Sequence, residues 1–323
     1  MDPASFFTSS RLLIVAGKGG VGKTTVSAAL AQAAARVGLD ALVLELDGRS
    51  GVSELYGAAN GGYNEVVLAP ADPAQGRGRI TSRSLEPDRV LVDYLGTAGL
   101  GRLAGQLARS GAVEVVATAV PGIRDILVLG KAKQLERSGE ADVIILDAPA
   151  AGHAISFLRS AKGLADAVPV GPIHTQAVEV LELLSNPSRC QVMLVTIAEE
   201  TPVNELIDTA YALEDEVGVH LTPVVVNSLL SSRPGLHLTA REAAAGSGIS
   251  LVDAEVHALD DAARFRLDRL AHQEGQADRL ADQLALAQLR LPLVFAPELG
   301  VEALDQLAAV LLDEVGELSE HAT

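Results

Sequence analysis

The sequence predicts an α/β protein built on a doubly wound, mostly parallel sheet, and three observations lead there. Short apolar runs recur along the 323-residue chain, helical patterns separate them, and a glycine-rich turn joins the first run to the first helix. Runs without polar alternation suit strands covered on both faces, which is the condition of a parallel sheet.

In chain order the runs are 12–16, 41–46, 142–146, 191–197, 221–226 and 292–296. Residues 28–37 are rich in alanine and stop at Gly38, a residue free to end a helix in the left-handed conformation. Thr201-Pro202 pairs a capping side chain with a first-turn proline and predicts a helix to about residue 217. Two stretches interrupt the alternation: 93–138, helical in pattern and broken at Pro121-Gly122, and 235–289, dense in Ala, Leu, Asp and Arg. Both are expected as helical insertions on a single domain spanning residues 1–323. Residues 69–79, rich in Pro, Gly, Ala and Asp, read as a loose loop. Residues 301–323 read as a helix that carries Glu302, Asp305, Asp313, Glu314, Glu317 and Glu320 without Lys or Arg, a poor membrane anchor.

Composition narrows the function classes. With 48% hydrophobic and 21% charged residues the chain can bury a large core. Acidic residues outnumber basic ones 42 to 25, which disfavours a protein that grips nucleic acid or anionic lipid. Cys190 is the sole cysteine, so one chain can build neither a disulfide framework nor a four-thiolate zinc or iron–sulfur site. The start, Met1-Asp2-Pro3-Ala4-Ser5, has no basic segment ahead of an apolar one, and no apolar run reaches the roughly 18 residues of a spanning helix. A cytoplasmic location without zinc is expected.

Gly17-Lys18-Gly19-Gly20-Val21-Gly22-Lys23-Thr24 fits the pattern G-x-x-x-x-G-K-[ST] between an apolar strand run and a helix. Glycines let backbone N–H groups turn inward around phosphates, and the helix N-terminus adds partial positive charge. Lys23 is expected to reach the β and γ phosphates, Thr24 to take a magnesium position, and Thr25 to add an α-phosphate contact. The chain therefore reads as a P-loop ATPase domain using ATP and magnesium. Asp147 follows the run 143–146 and Asp47 follows 42–46, and carboxyl ends of strands line the ligand crevice of open sheets. Asp147 reads as the acid holding the magnesium shell, or else as a helix cap. Asp47 reads as the acid that orients and deprotonates the attacking water, or else as a solvated turn residue before Gly48.

Lys18, directly after the first glycine, resembles the deviant Walker loop of the class that includes the arsenite-pump ATPases, MinD and ParA. That resemblance implies a lysine that crosses a dimer interface to the partner's nucleotide. Further segments resemble the narrower family of arsenite-pump (ArsA) and tail-anchored-protein-targeting ATPases. Asp147-Ala148-Pro149-Ala150-Ala151-Gly152-His153 is similar to its D-T-A-P-T-G-H switch, with the proline one place early. Val120-Pro121-Gly122-Ile123 resembles P-G-I-D-E with Arg124 in place of the first acid, and Val224 to Leu230 resembles V-V-N-Q-L-L. By this resemblance Asn227 reads adenine, Pro297 lies in the adenine-flanking loop, and Asp47 matches the acid of D-P-A-H, although Gly48-Arg49-Ser50 replaces the rest. His153 matches a switch histidine or is an ordinary helix-start residue.

The departures bear on biology. The chain lacks the C-x-x-C pairs of zinc-linked relatives and the thiolates of arsenite pumps, so arsenite pumping is not expected and Cys190 reads as a core residue. Short actinobacterial-type members of the family are the nearest in kind. The expected function is a nucleotide-gated dimeric ATPase switch, as a homodimer or a heterodimer with a related chain, handling a hydrophobic protein client or a membrane-associated partner. The helices of 93–138 would form a client surface or ordinary packing. The alternative is a spatial-organisation ATPase of the MinD/ParA kind.

Overall fold

The computed structural model describes residues 1–46, 51–59, 61–97 and 122–318. Strand β1 (Leu12–Gly17) is buried throughout and lies between β5 (Val143–Ala150) and β6 (Cys190–Ile197), parallel to both. β2 (Ala41–Leu46) pairs with the other side of β5, and the sheet is completed by β3 (Val66–Ala69), β4 (Ile80–Leu85), β7 (Val224–Leu229) and β8 (Gln288–Pro292). The order is β3-β4-β2-β5-β1-β6-β7-β8, and β3 alone runs antiparallel to its neighbour among these strands. After α1 (Pro3–Thr8) the chain enters β1, which has β2 to β5 on one side and β6 to β8 on the other, so the crevice that marks a ligand site in open sheets opens at the carboxyl end of β1.

The two-residue period of a strand explains why these runs carry no polar alternation. Leu12, Ile14, Leu44, Ile144, Leu146 and Leu194 face one layer, packed against α5 (Ile123–Ser138), α6 (Ala151–Ala167), α7 (Pro172–Leu184) and α8 (Glu200–Ala212). Leu13, Val15, Val43, Ile145 and Val195 face the other, packed against α2 (Lys23–Arg36) and α11 (Val301–Glu317). Cys190 is fully buried in the first layer, and that burial drives its thiol pKa up.

Several expectations shift. The last strand is residues 288–292 rather than 292–296. It is an edge strand in which Leu289 and Leu291 are buried while Gln288 and Arg290 reach α10 (Asp253–Gln283), so it alternates where an apolar run was sought. Leu293 and Phe295 of the expected run are exposed instead. β7 starts at Val224, after Pro223, which has no N–H to donate. β4 was not expected at all because Thr81, Ser82 and Ser84 are polar; they are nonetheless buried, and Ser82 shares a hydroxyl hydrogen bond with Ser53 at 3.0 Å. Residues 69–79 form a tight turn: Asp72 and Arg77 exchange two backbone hydrogen bonds of 2.9 Å, and the Asp72 carboxylate accepts from the N–H groups of Ala74 and Gln75.

The helix expected from Thr201 begins at Glu200 with Glu199 at the cap position, so Pro202 sits in the first turn, where its missing N–H costs nothing. It ends in a π turn at Leu213–Val217 closed by Gly218. Of the 93–138 stretch, α4 (Pro87–Thr97) and α5 are helical, with Gly122 at the head of α5; residues 98–121 lie outside the described residues. Of the 235–289 stretch, α9 (Ala240–Ser247) and the 31-residue α10 are helical, and the tail enters β8. Among the described residues no helix is long and apolar enough to cross a membrane.

Candidate nucleotide site

The loop between β1 and α2 needs glycine for reasons that can be measured. Gly17 has φ +156°, and a Cβ there would lie 2.2 Å from the carbonyl oxygen of Val195 on the neighbouring strand. Gly22 has φ +90°, and a Cβ would lie 2.4 Å from the amide nitrogen of Asn227. The first approach is to backbone that cannot give way, and at Gly22 the left-handed φ itself favours glycine. The Lys23 ammonium donates to the carbonyl of Lys18 at 3.0 Å, so this lysine folds back over the loop.

Thr24 and Asp147, both expected at the magnesium position, are brought together. The Thr24 hydroxyl donates to Asp147 Oδ2 at 2.7 Å, and Asp147 is buried. Asp147 does not end its strand, because β5 continues to Ala150, and this position inside the strand removes the helix-cap reading. The pair offers two hard oxygen donors side by side, a donor set that suits magnesium when phosphate oxygens and water complete the shell. His153 lies in the first turn of α6. Asp47, with Gly48-Arg49-Ser50, lies outside the described residues.

Sequence reasoning missed Glu45, an acid inside the apolar run 42–46 that faces this site. It is 3% exposed, and its Oε1 accepts the N–H of Val52 at 2.9 Å. A Cβ on Gly51 would lie 2.9 Å from Thr24 Cγ2, so the head of α3 (Gly51–Leu55) is seated on Thr24 and tied to Glu45. The lone charge in an otherwise apolar strand was the available signal. Burial raises the Glu45 pKa, the Val52 N–H partly offsets this, and the charge of Asp147 adds to the rise.

A raised carboxyl pKa means that the folded state holds the proton more tightly than the unfolded chain. The penalty is absent below the ordinary value of 4.5 and grows as pH rises through the folded value. Glu45→Gln is therefore expected to raise the thermal midpoint at pH 7, with the advantage closing as pH falls towards 4.5. A pH-independent difference between the two melting curves would contradict this account.

Beside the loop lies a cavity of about 140 Å³ whose lining includes Val21, Thr25, Asn227, Ser228, Leu293 and Leu299. Asn227 is at its wall, but the side-chain amide donates to the carbonyl of Val21 at 2.9 Å, so in this structure it braces the phosphate loop. Pro297 is exposed and outside the lining, which its loop supplies through Leu293, Val294 and Leu299. β7 bulges before Leu229 and holds Ser228 at φ +61°, a left-handed conformation that costs a non-glycine residue about 1–2 kcal/mol.

Lys18 points elsewhere than Lys23. Its ammonium lies 2.6 Å from Glu205 Oε1 on α8, and the two side chains are 37% and 43% exposed.

Comparison with known proteins agrees with this geometry. A family model described as the CobQ/CobB/MinD/ParA nucleotide binding domain matches residues 12–268. The chain is 30% identical over 304 residues to ATPase BagA of Mycobacterium tuberculosis, covering 88% of this chain and 87% of that protein. It is 29% identical over 230 residues to the arsenical pump-driving ATPase of Escherichia coli, covering 68% of this chain and 35% of the pump protein. It is 28% identical over 152 residues to ATPase get3 of Neurospora crassa, covering 47% of this chain and 43% of that protein.

Proposed function

Because this chain belongs to the CobQ/CobB/MinD/ParA nucleotide-binding family as an ArsA-like P-loop ATPase, we propose that ATP hydrolysis drives it between open and closed states of a dimer. What supports this reading is the division of labour between two lysines. Lys23 curls over its own loop, whereas Lys18 stands partly exposed in an ion pair with Glu205 of α8.

In the proposed cycle the triphosphate lies against the backbone N–H groups of Gly19, Gly20, Val21 and Gly22, with Lys23 on the β and γ phosphates and Thr25 near the α phosphate. Lys18 exchanges Glu205 for the nucleotide of the facing subunit, where its charge stabilises the transferring phosphoryl group. Asp47 takes a proton from water as the water oxygen bonds to the γ phosphorus and the bond to ADP breaks. Thr24 and Asp147 would hold magnesium, which supplies charge neutralisation at the phosphate oxygens.

The partner is a second copy or a related ATPase chain. Handling of a hydrophobic protein or membrane-linked partner is the finer part of the proposal. It is supported by an apolar cleft of about 460 Å³ between α9 and α10, lined by residues that include Leu236, Leu238, Ile249, Leu251 and Leu259. Sedimentation velocity with ATP, ADP and no nucleotide tests the switch. A dimer formed with ATP and lost with ADP is expected. A monomer in all three states, or a dimer indifferent to nucleotide, would refute it.

A further inference from the structure

Gln273 is 7% exposed on α10, a helix otherwise largely open to solvent. A buried amide must find polar partners, and this one takes them from the backbone at the end of β7. Its Oε1 accepts the N–H of Leu230 at 2.8 Å, and its Nε2 donates to the carbonyl of Ser228 at 3.4 Å. The two bonds straddle Leu229, whose carbonyl accepts from the N–H of Leu293 at 2.7 Å.

This is the same turn that places Ser228 in the left-handed region and carries Asn227 beneath Gly22. Ser228, Asn227 and Leu293 all line the cavity beside the phosphate loop. A strained turn persists only where its surroundings hold it; Gln273 supplies the bonds to Ser228 and Leu230, and Arg266 of the same helix donates to the carbonyl of Ser231 at 2.8 Å, one residue farther on.

We propose that Gln273 is a positioning residue for nucleobase recognition: it pins the bulge at Ser228 so that Asn227 and Leu293 present one wall to the base. The inference takes the 140 Å³ cavity beside the phosphate loop as the pocket for the base of the nucleotide in the proposed cycle, and rests on that proposed function. Gln273 touches neither phosphate nor the reacting atoms; it acts through Ser228 and Asn227. The signal was invisible in sequence, since the two partners are separated by more than forty positions and one of them is bare backbone.

The test compares ATP with inorganic tripolyphosphate, which can occupy the phosphate loop but has no base. Dissociation constants are measured on the full-length chain with magnesium. Gln273→Met keeps length and apolar packing but removes both bonds, and it is expected to cut the preference for ATP over tripolyphosphate about tenfold, with the loss of tripolyphosphate affinity through the Asn227–Val21 brace much the smaller of the two. Adding Ser228→Gly to Gln273→Met is expected to restore much of the preference, because glycine adopts the turn without strain. An unchanged ratio in Gln273→Met, an equal loss for both ligands, or no recovery in the double variant would overturn the proposal. A parent chain that binds the two ligands equally well would overturn the base-pocket reading and the clamp with it.

Discussion

Lys18→Ala is expected to lower ATP turnover on the order of a thousandfold while leaving ATP affinity within a few-fold of the parent. The asymmetry follows from the two lysine positions. Lys23 is folded over its own loop and, in the proposed cycle, is the cation that a bound triphosphate meets first. Lys18 rests on Glu205 in the single chain, so its removal takes nothing from the loop that binds nucleotide. If it completes the site of a facing subunit, the loss falls on the transition state alone, where charge on the transferring group is greatest. Phosphate release and titration calorimetry, made on the same preparation, separate turnover from affinity. Parental turnover in Lys18→Ala would remove the dimer mechanism, and a matching loss of affinity would place Lys18 in its own subunit's site.

The second large effect is expected at Asp147. Asn has nearly the same shape and its oxygen can still accept the Thr24 hydroxyl, so Asp147→Asn should preserve the local hydrogen bond of 2.7 Å while deleting the charge. Turnover is expected to fall on the order of a hundredfold and the magnesium concentration for half-maximal rate to rise. Affinity for ATP in chelator should hold or improve, because a negative charge near the triphosphate is gone and Glu45 is relieved of a like neighbour. A metal titration of the steady-state rate reads all of this. Parental turnover at parental magnesium would show that Asp147 has no part in holding the metal.

Much of the fold was legible because its strands are covered on both faces. Runs such as 12–16 and 41–46 have no polar face to show, and a sheet of such runs wound with helices is parallel. The phosphate loop was legible for a related reason: its chemistry needs contiguous residues, glycines whose backbone turns inward and a lysine and threonine at the head of a helix. Asp147 could be placed because it follows an apolar run directly. By contrast β4 hid behind buried serines, and β8 hid because an edge strand covered by apolar residues on one face alternates.

The sequence by itself therefore determined the fold class and the phosphate-loop motif, each of which is written in contiguous residues. Tertiary structure decided the rest. Lys18 meets Glu205 across 187 positions, Asn227 reaches Val21 across 206, and Thr24 meets Asp147 across 123. Glu45 becomes a member of the site only when β2 lies beside β5, and Gln273 only when α10 passes the end of β7. The physical reason is that spacing along the chain specifies which residues share one strand or one helix face, whereas a contact between two elements depends on how they pack.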